Sequence, residues 1–218
     1  MSIRFLVAAL VAAASAPALS QPTSVPTDEI PVAIDTSAGR IVVALDKTHA
    51  PVTTANFLHY VDTHRFDGES FYRAMHQPGG KETDGLIQGG IRSSALKLYP
   101  PIKHEPTSET GLRNVAGAIS MANAGPGTAR ADFFILASDM PALDATADSP
   151  GFAAFGHVTE GMDVVQKILA SPVSATKGEG AMKGQMLIRP VTIIRAQRLD
   201  GTPKPTGRPQ VWKLFEGR

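Results

Sequence analysis

Glycine, proline and aspartate divide this chain into short apolar runs, and that division is the strongest constraint on its fold. The 218 residues include 20 glycines and 17 prolines. These residue types form turns, and short apolar runs bounded by turns favour strands over long helices. The sequence therefore predicts a loop-rich, mainly β fold and excludes a collagen-like, coiled-coil or disordered chain.

The spacing of apolar residues predicts most of the strands. Alternation from Ile30 to Leu45, interrupted by a turn at 37–39, indicates a β-hairpin with Ile41, Val43 and Leu45 on one face. Further short strands are predicted at 70–75, 86–88, 118–121, 133–137 and 155–158, and a long one at 186–199. Because proline cannot donate to a strand ladder, Pro190 requires an edge or a bulge there.

Two segments change to helical spacing. In the first, Thr48 is the predicted N-cap, Pro51 lies near the first turn, and the helix ends at about Thr63. The second follows Thr159. Their predicted buried faces are Thr54, Phe57, Leu58 and Val61 in the first, and Val164, Val165, Ile168 and Leu169 in the second. Many short strands with two helices fit a closed β-barrel whose ends are covered by helices.

The chain termini differ from this body. Arg4, the apolar run at 5–14 and the small residues leading to Ser20 have the layout of a secretory signal peptide. We expect cleavage after Ser20 and a periplasmic or secreted protein, with an uncleaved anchor as the alternative. Residues 21–29 are predicted to be a linker, residues 30–200 the folded domain, and residues 201–218 a proline-rich extension. The extension is expected to fold back over a barrel edge or to bind a partner.

Composition excludes several kinds of site. Lys and Arg number 21 against 20 Asp and Glu, so no charge excess selects nucleic acid or, after signal cleavage, a membrane. The absence of cysteine removes disulfides and thiol nucleophiles. No nucleophile elbow, Walker loop or zinc-protease motif occurs, and the six histidines are scattered. We therefore expect no metal site, and nothing in the sequence supports a serine hydrolase.

Five segments carry a distinctive local signature. Three of them are Ser70–Met75, Leu86–Gly90, and Gly117–Pro126 with the following Asp132–Ile135. The others are Ala50–Phe57 and Phe155–Met162. Together, and in their order along the chain, the five segments resemble the cyclophilin family of peptidyl-prolyl cis-trans isomerases in its exported bacterial form, from about residue 30 to residue 199.

The resemblance implies an eight-stranded antiparallel β-barrel capped by two helices, with an outer groove that binds a proline-containing peptide. It places the catalytic arginine at Arg73. The groove positions that it implies are Phe71, Gln88, Met121, Ala122, Asn123, Phe134 and Leu143. It further implies an enzyme without a cofactor, which we expect to be a monomer whose partners are proline-containing polypeptides.

The residue types suit the reaction. Rotation about an Xaa-Pro bond breaks amide resonance at a barrier of about 18–20 kcal/mol and needs no proton transfer. The planar, permanently charged fork of Arg73 can stabilise the twisted amide, which lysine would not reproduce. The alternative for Arg73 is a surface arginine paired with an acid. Phe71, Met121, Phe134 and Leu143 could grip the proline ring, while Gln88 and the backbone of Ala122 and Asn123 align the peptide.

Some positions depart from the family pattern. Gly85 replaces an aromatic residue, and the preceding loop is longer than usual. Asp132 stands where glutamine is common, so an anion there could pair with Arg73 and modulate it. Ala142 takes the place of a frequent tryptophan, which puts cyclosporin binding in question, and Phe152 that of a histidine. The alternative function is therefore a non-catalytic proline-peptide-binding module or chaperone on the same barrel.

Overall fold

The computed structural model describes residues 29–201. The predicted signal peptide, nearly all of the predicted linker and residues 202–218 of the predicted extension lie outside the described residues. Nine strands and three α-helices are present in the described part. The strands are β1 (Glu29–Thr36), β2 (Gly39–Asp46), β3 (Ser70–His76), β4 (Gly85–Gly90), β5 (Ala118–Met121), β6 (Phe133–Leu136), β7 (Ala153–Glu160), β8 (Val173–Ser174) and β9 (Met186–Arg198). The helices are α1 (Pro51–Asp62), α2 (Thr107–Thr110) and α3 (Met162–Leu169).

Eight of the strands close a barrel. Their order is β1-β2-β7-β5-β6-β4-β3-β9, and β9 pairs again with β1. Every pairing is antiparallel, and the two-residue β8 adds to β9 outside the ring. The predicted eight-stranded barrel is confirmed. Because the barrel is closed, the described residues contain no long strand with an unpaired edge.

Aromatic side chains fill the interior, and α1 supplies part of them. The ring of Phe57 lies 5.1 Å from those of Phe66 and Phe133 and 5.4 Å from that of Phe155. All four are at most 1% exposed. The predicted apolar faces of α1 and α3 are buried in the same cluster, as the spacing indicates.

The N-terminus of α1 is capped differently from the prediction. Residue 50 is the N-cap, and no side chain near it in sequence closes the helix end, so Thr48 is not the cap. The Glu105 carboxylate instead accepts the first-turn amides of Val52 (2.9 Å) and Thr53 (2.7 Å). A distant acid thus satisfies the unpaired donors and lies at the positive end of the helix dipole. Sequence spacing cannot show such a contact.

Two irregularities position the later site. Between β3 and β4, Phe71 pairs with Gly89 but Arg73 pairs with Gln88, so Tyr72 is an extra residue on β3. Between β3 and β9, residues 187–190 lie between the partners of Arg73 and Phe71, which confirms a bulge at Pro190. The first bulge turns Tyr72 and Arg73 to one side of the sheet. The bulge in β9 brings Gln185, the residue before that strand, to Arg73.

Candidate active site

A cavity of about 550 Å³ lies against β3, β4 and β6 on the side away from the barrel interior. Alternation along the strands explains its lining. Ile87 and Phe133 are in the interior cluster, whereas their neighbours Gln88 and Phe134 line the cavity. The same strands therefore supply the core with one set of residues and this cavity with the other.

Arg73 is held by two neutral amides. Gln185 Oε1 accepts hydrogen bonds from Arg73 Nε (2.9 Å) and Nη2 (2.6 Å). Gln88 Oε1 accepts one from Nη1 at 2.7 Å. The backbone carbonyl of Gln185 also accepts a hydrogen bond from the backbone amide of Ala74, and this bond fixes Gln185 against β3. Among residues 29–201, the guanidinium is therefore fixed in orientation without a carboxylate partner.

This arrangement leaves Arg73 available to a ligand. A guanidinium carries five N–H groups, and three of them are used, so one on Nη1 and one on Nη2 remain. Burial lowers the pKa of Arg73 from its usual value. An arginine nevertheless stays charged at neutral pH, because its ordinary pKa lies far above 7. The cavity thus contains a partly buried cation with two N–H groups that no hydrogen bond uses within the described part of the chain.

Gln88 makes two contacts within the protein that the sequence did not predict. Its Oε1 accepts from Arg73, and its Nε2 donates to the Tyr72 hydroxyl at 2.8 Å. Both ends of the amide are engaged inside the protein. Gln88 therefore links Tyr72 to Arg73 through one lone pair of Oε1 and one hydrogen of Nε2. The amide group has a second lone pair and a second hydrogen, so these bonds leave it able to contact a peptide.

A separate apolar cluster forms the other half of the cavity. Buried members are Leu86, Phe134, Leu136 and Met140, and the partly buried Met75, Leu143 and Phe152 pack against them. The rings of Phe134 and Phe152 meet edge-on at 5.4 Å. Mobile thioethers beside these rings can adapt to a compact apolar group. This cluster provides an apolar receptacle next to Arg73.

A buried asparagine anchors the loop that carries Leu143 and Phe152. Asn114 Nδ2 donates to the carbonyls of Leu143 (3.1 Å) and Phe152 (3.4 Å) and to Asp144 (2.9 Å). Its Oδ1 accepts from Ser120, and its backbone amide donates to Asp144 at 2.8 Å. Because these groups are buried and mutually satisfied, the 140–152 loop is held at the cavity.

Asp132 lies beside Tyr72 and Arg92 and makes no ion pair with Arg73 among residues 29–201. The predicted pairing is therefore not the arrangement found. Burial raises the pKa of Asp132, against the opposing effect of Tyr72 and Arg92. Burial also raises the pKa of Tyr72 above its usual value, and the Asp132 charge adds to that effect.

A glycine makes room for Asp132. A Cβ at Gly90 (φ +145°) would lie 2.1 Å from Asp132 Oδ1 and 2.6 Å from its Cα. Any larger residue would displace Asp132 from its place beside Tyr72. Gly90 is therefore required by this close packing as well as by its backbone conformation.

One edge of the cavity presents unpaired backbone. Ala122 donates its amide to Asp132 O at 2.9 Å, while the peptide unit of Asn123 makes no backbone hydrogen bond within the described chain. The Asn123 side chain accepts the Gly125 amide at 3.0 Å. An extended peptide could therefore pair with Asn123 as it would with the edge of a sheet.

Most predicted site residues line this cavity. They are Arg73, Gln88, Ala122, Asn123, Phe134 and Leu143, together with Asp132. Phe71 and Met121 do not, because both are fully buried in the interior cluster. The Tyr72 bulge separates Phe71 from the face of Arg73, and Met121 is the cross-strand partner of the inward-facing Phe133. Their prediction as groove residues is wrong.

Sequence reasoning missed several contributors. Tyr72, Arg92, Met140 and Met182 line the cavity, and Gln185 holds Arg73 from outside the lining. The aromatic residue expected at Gly85 cannot fit, since a Cβ there would lie 2.0 Å from the Met75 carbonyl. Met140 and Phe152 supply the apolar wall in its place. Only the contact of Gln185 lacked any local sequence signal, because it spans 112 positions.

Other kinds of site are not found in the described part of the chain. No group of three or more histidine or acidic side chains there could hold a metal ion. None of the helices in residues 29–201 is long and apolar enough to span a bilayer.

Comparisons with known proteins agree with this geometry. The model of the family described as cyclophilin-type peptidyl-prolyl cis-trans isomerase/CLD matches residues 31–197. Peptidyl-prolyl cis-trans isomerase A of Dickeya dadantii is 40% identical over 172 residues, covering 77% of this chain and 85% of the relative. The Streptomyces antibioticus isomerase cyp18 is 36% identical over 175 residues, covering 77% and 98%.

A solved structure shows the same fold. A cyclophilin-type isomerase of Cryptosporidium parvum superposes with a TM-score of 0.62 at 20% identity, covering 78% of this chain and 97% of that one. A second crystal structure of that protein, obtained in the presence of the dipeptide Ala-Pro, gives a TM-score of 0.60.

Proposed function

Because the chain belongs to the cyclophilin family of peptidyl-prolyl cis-trans isomerases and is an enzyme of that type, we propose that Arg73 accelerates the rotation of the Xaa-Pro bond. The observation that carries this proposal is the guanidinium fixed by Gln88 and Gln185 with two N–H groups unused. Its position beside an apolar receptacle supports the same reading.

The proposed chemistry is electrostatic. In the planar amide the nitrogen lone pair is shared with the carbonyl, and rotation interrupts that sharing at a barrier of about 18–20 kcal/mol. A donor aimed at the twisted state, at its carbonyl oxygen or its pyramidal nitrogen, stabilises it more than the planar states and lowers the barrier. Arg73 has such donors in a fixed direction. No bond to the protein forms, so no nucleophile or general base is required.

The apolar cluster would hold the proline ring. Phe134, Leu143 and Phe152 line the cavity next to Arg73, and the rings of Phe134 and Phe152 meet edge-on there. With the ring held there and the peptide paired to Asn123, the residue before proline can swing. Holding one side of the bond while the other rotates is what catalysis of rotation requires.

The experiment is NMR exchange spectroscopy on an Ala-Pro peptide with the wild type, Arg73→Ala and the surface control Arg195→Ala. Loss of a charged contact of about 3 kcal/mol should slow catalysed exchange roughly a hundredfold in Arg73→Ala. Arg195→Ala, which removes an exposed arginine of β9, should match the wild type. Equal rates for Arg73→Ala and wild type would refute the role of Arg73.

We also propose that the clients are exported proteins. The support is Arg4 followed by the apolar run at 5–14 and the small residues before Gln21. Expression of the full chain in a Gram-negative bacterium, with fractionation and mass spectrometry, should yield periplasmic protein beginning at Gln21. Leu10→Arg, which interrupts the apolar run, should retain the protein in the cytoplasm with Met1–Ser20 attached. Cytoplasmic, unprocessed wild type would contradict the proposal.

A further inference from the structure

A second cavity continues the first along β3. Its volume is about 480 Å³, and it shares Tyr72, Arg92 and Met182 with the cavity at Arg73. The remaining walls come from the loop at 177–182 and from the β9 bulge. The two cavities therefore lie side by side, and together they are called the trough. Arg92 lies where the two parts meet.

Arg92 is held in place from two sides. Its backbone amide donates to the buried carboxylate of Glu69 at 3.2 Å. Its guanidinium carbon lies 4.7 Å from the centre of the Tyr72 ring. Stacking on an aromatic ring orients a guanidinium without neutralising it. Arg92 is also solvent-exposed, so its charge can meet a ligand in the trough.

Positive charge predominates along this trough. Its cations are Arg73, Arg92, Arg130 and Lys177, and its acids are Asp132 and Glu179. Within residues 29–201, no carboxylate lies within 4.0 Å of the charged groups of Arg92, Arg130 or Lys177. Asp132 lies beside Tyr72 and Arg92, and even with both acids counted the cations are in excess. The excess of cations is therefore open to a ligand.

We propose that Arg92 is a specificity-determining residue that selects prolyl bonds with an aspartate or glutamate within two residues of the proline. This inference rests on the proposed function, in which the trough is occupied by a polypeptide. The anion that a polypeptide brings within reach of Arg92 is a carboxylate side chain. Arg130 and Lys177 extend the attraction along the trough on either side of Arg92.

The test uses pairs of proline peptides that differ only by Glu or Gln at one position, up to two residues before or after the proline. Catalysed exchange is measured by NMR at about 0.01 M and about 1 M ionic strength, since screening shortens from about 30 Å to about 3 Å between them. For at least one position we expect wild type to favour Glu about three- to tenfold at low salt. The preference should disappear at high salt.

Variants assign the preference. Arg92→Gln should bring the Glu/Gln ratio to about one, Arg92→Lys should retain part of it, and Arg195→Gln should leave it unchanged. A wild type without preference at any position, or a preference that survives Arg92→Gln, would overturn the inference. If neither peptide is isomerised, the proposed function fails instead. Chemical-shift titration with the same peptides then still measures whether Glu is bound more tightly through Arg92.

Discussion

The barrel interior and the outer trough are built by the same strands but have opposite character. On β3, β4 and β6, Phe71, Ile87 and Phe133 face a continuous apolar core. The trough receives Gln88 and Phe134 from alternate positions, and Arg73 through the Tyr72 bulge. Along a single strand, alternation therefore places the residues that stabilise the fold on one face and the residues of the site on the other. A substitution on the interior face should therefore change the free energy of unfolding, whereas a substitution on the trough face should change the rate of turnover.

The largest expected effect lies in the interior. Phe71→Ala removes a fully buried ring that packs edge-on against Phe133 at 5.6 Å. The free energy of unfolding should fall by about 3–5 kcal/mol, because the surrounding core cannot fully fill the space that the ring leaves. Urea denaturation measures this. A loss below about 1 kcal/mol would mean that Phe71 does not belong to the rigid core.

On the trough side, Gln185→Met should lower kcat about tenfold with little change in KM. The variant removes the acceptor of two Arg73 donors, so the guanidinium loses its fixed direction while the apolar receptacle remains. Exchange kinetics at several peptide concentrations separate the two constants. The matched control is Gln166→Met on α3, whose amide donates to Thr83 O away from the trough. If both variants lose kcat equally, Gln185 has no specific positioning role.

An effect of comparable size is expected at the rim, where Glu69 fixes the turn that carries Arg92. Burial alone would raise the pKa of Glu69, but hydrogen bonds from Lys97 (2.6 Å), Ser93 and the Arg92 amide outweigh it, so the pKa is lowered. Because the pKa of Glu69 is lower in the folded state, its charged carboxylate stabilises the fold at pH values above the unfolded-state pKa. That stabilisation is lost as pH falls through the folded-state pKa.

Glu69→Gln should therefore reduce the free energy of unfolding by about 1.5 kcal/mol at neutral pH. The difference from wild type should shrink as the pH is lowered into the acid range. Denaturation curves across pH check this, with the exposed Glu179→Gln as control. A difference that grew towards acid pH would show that the Glu69 charge destabilises the fold.

Local patterns predicted the fold because the forces that form its elements are local or periodic. The buried faces of α1 and α3 follow helical spacing, and the strands follow alternation. The Glu105 cap could not be predicted, because its contact joins segments about fifty residues apart in the chain.

The site was predicted less completely, and bulges are the reason. Alternation would place Phe71 and Arg73 on one face. Because Tyr72 is an extra residue between them, Phe71 lies in the core and Arg73 on the opposite face. The register shift in β9 likewise delivers Gln185 to Arg73. Such shifts change which side chains share a face without leaving a clear mark in the residue pattern.

The most direct measurement compares both faces in one assay. Peptide exchange is recorded for Arg73→Ala and for Phe71→Leu at concentrations matched for folded protein. We predict a loss of roughly a hundredfold for Arg73→Ala and less than about threefold for Phe71→Leu. The free energy of unfolding should fall more in Phe71→Leu than in Arg73→Ala. A Phe71→Leu enzyme as slow as Arg73→Ala, or an Arg73→Ala enzyme as fast as wild type, would contradict the division between core and trough.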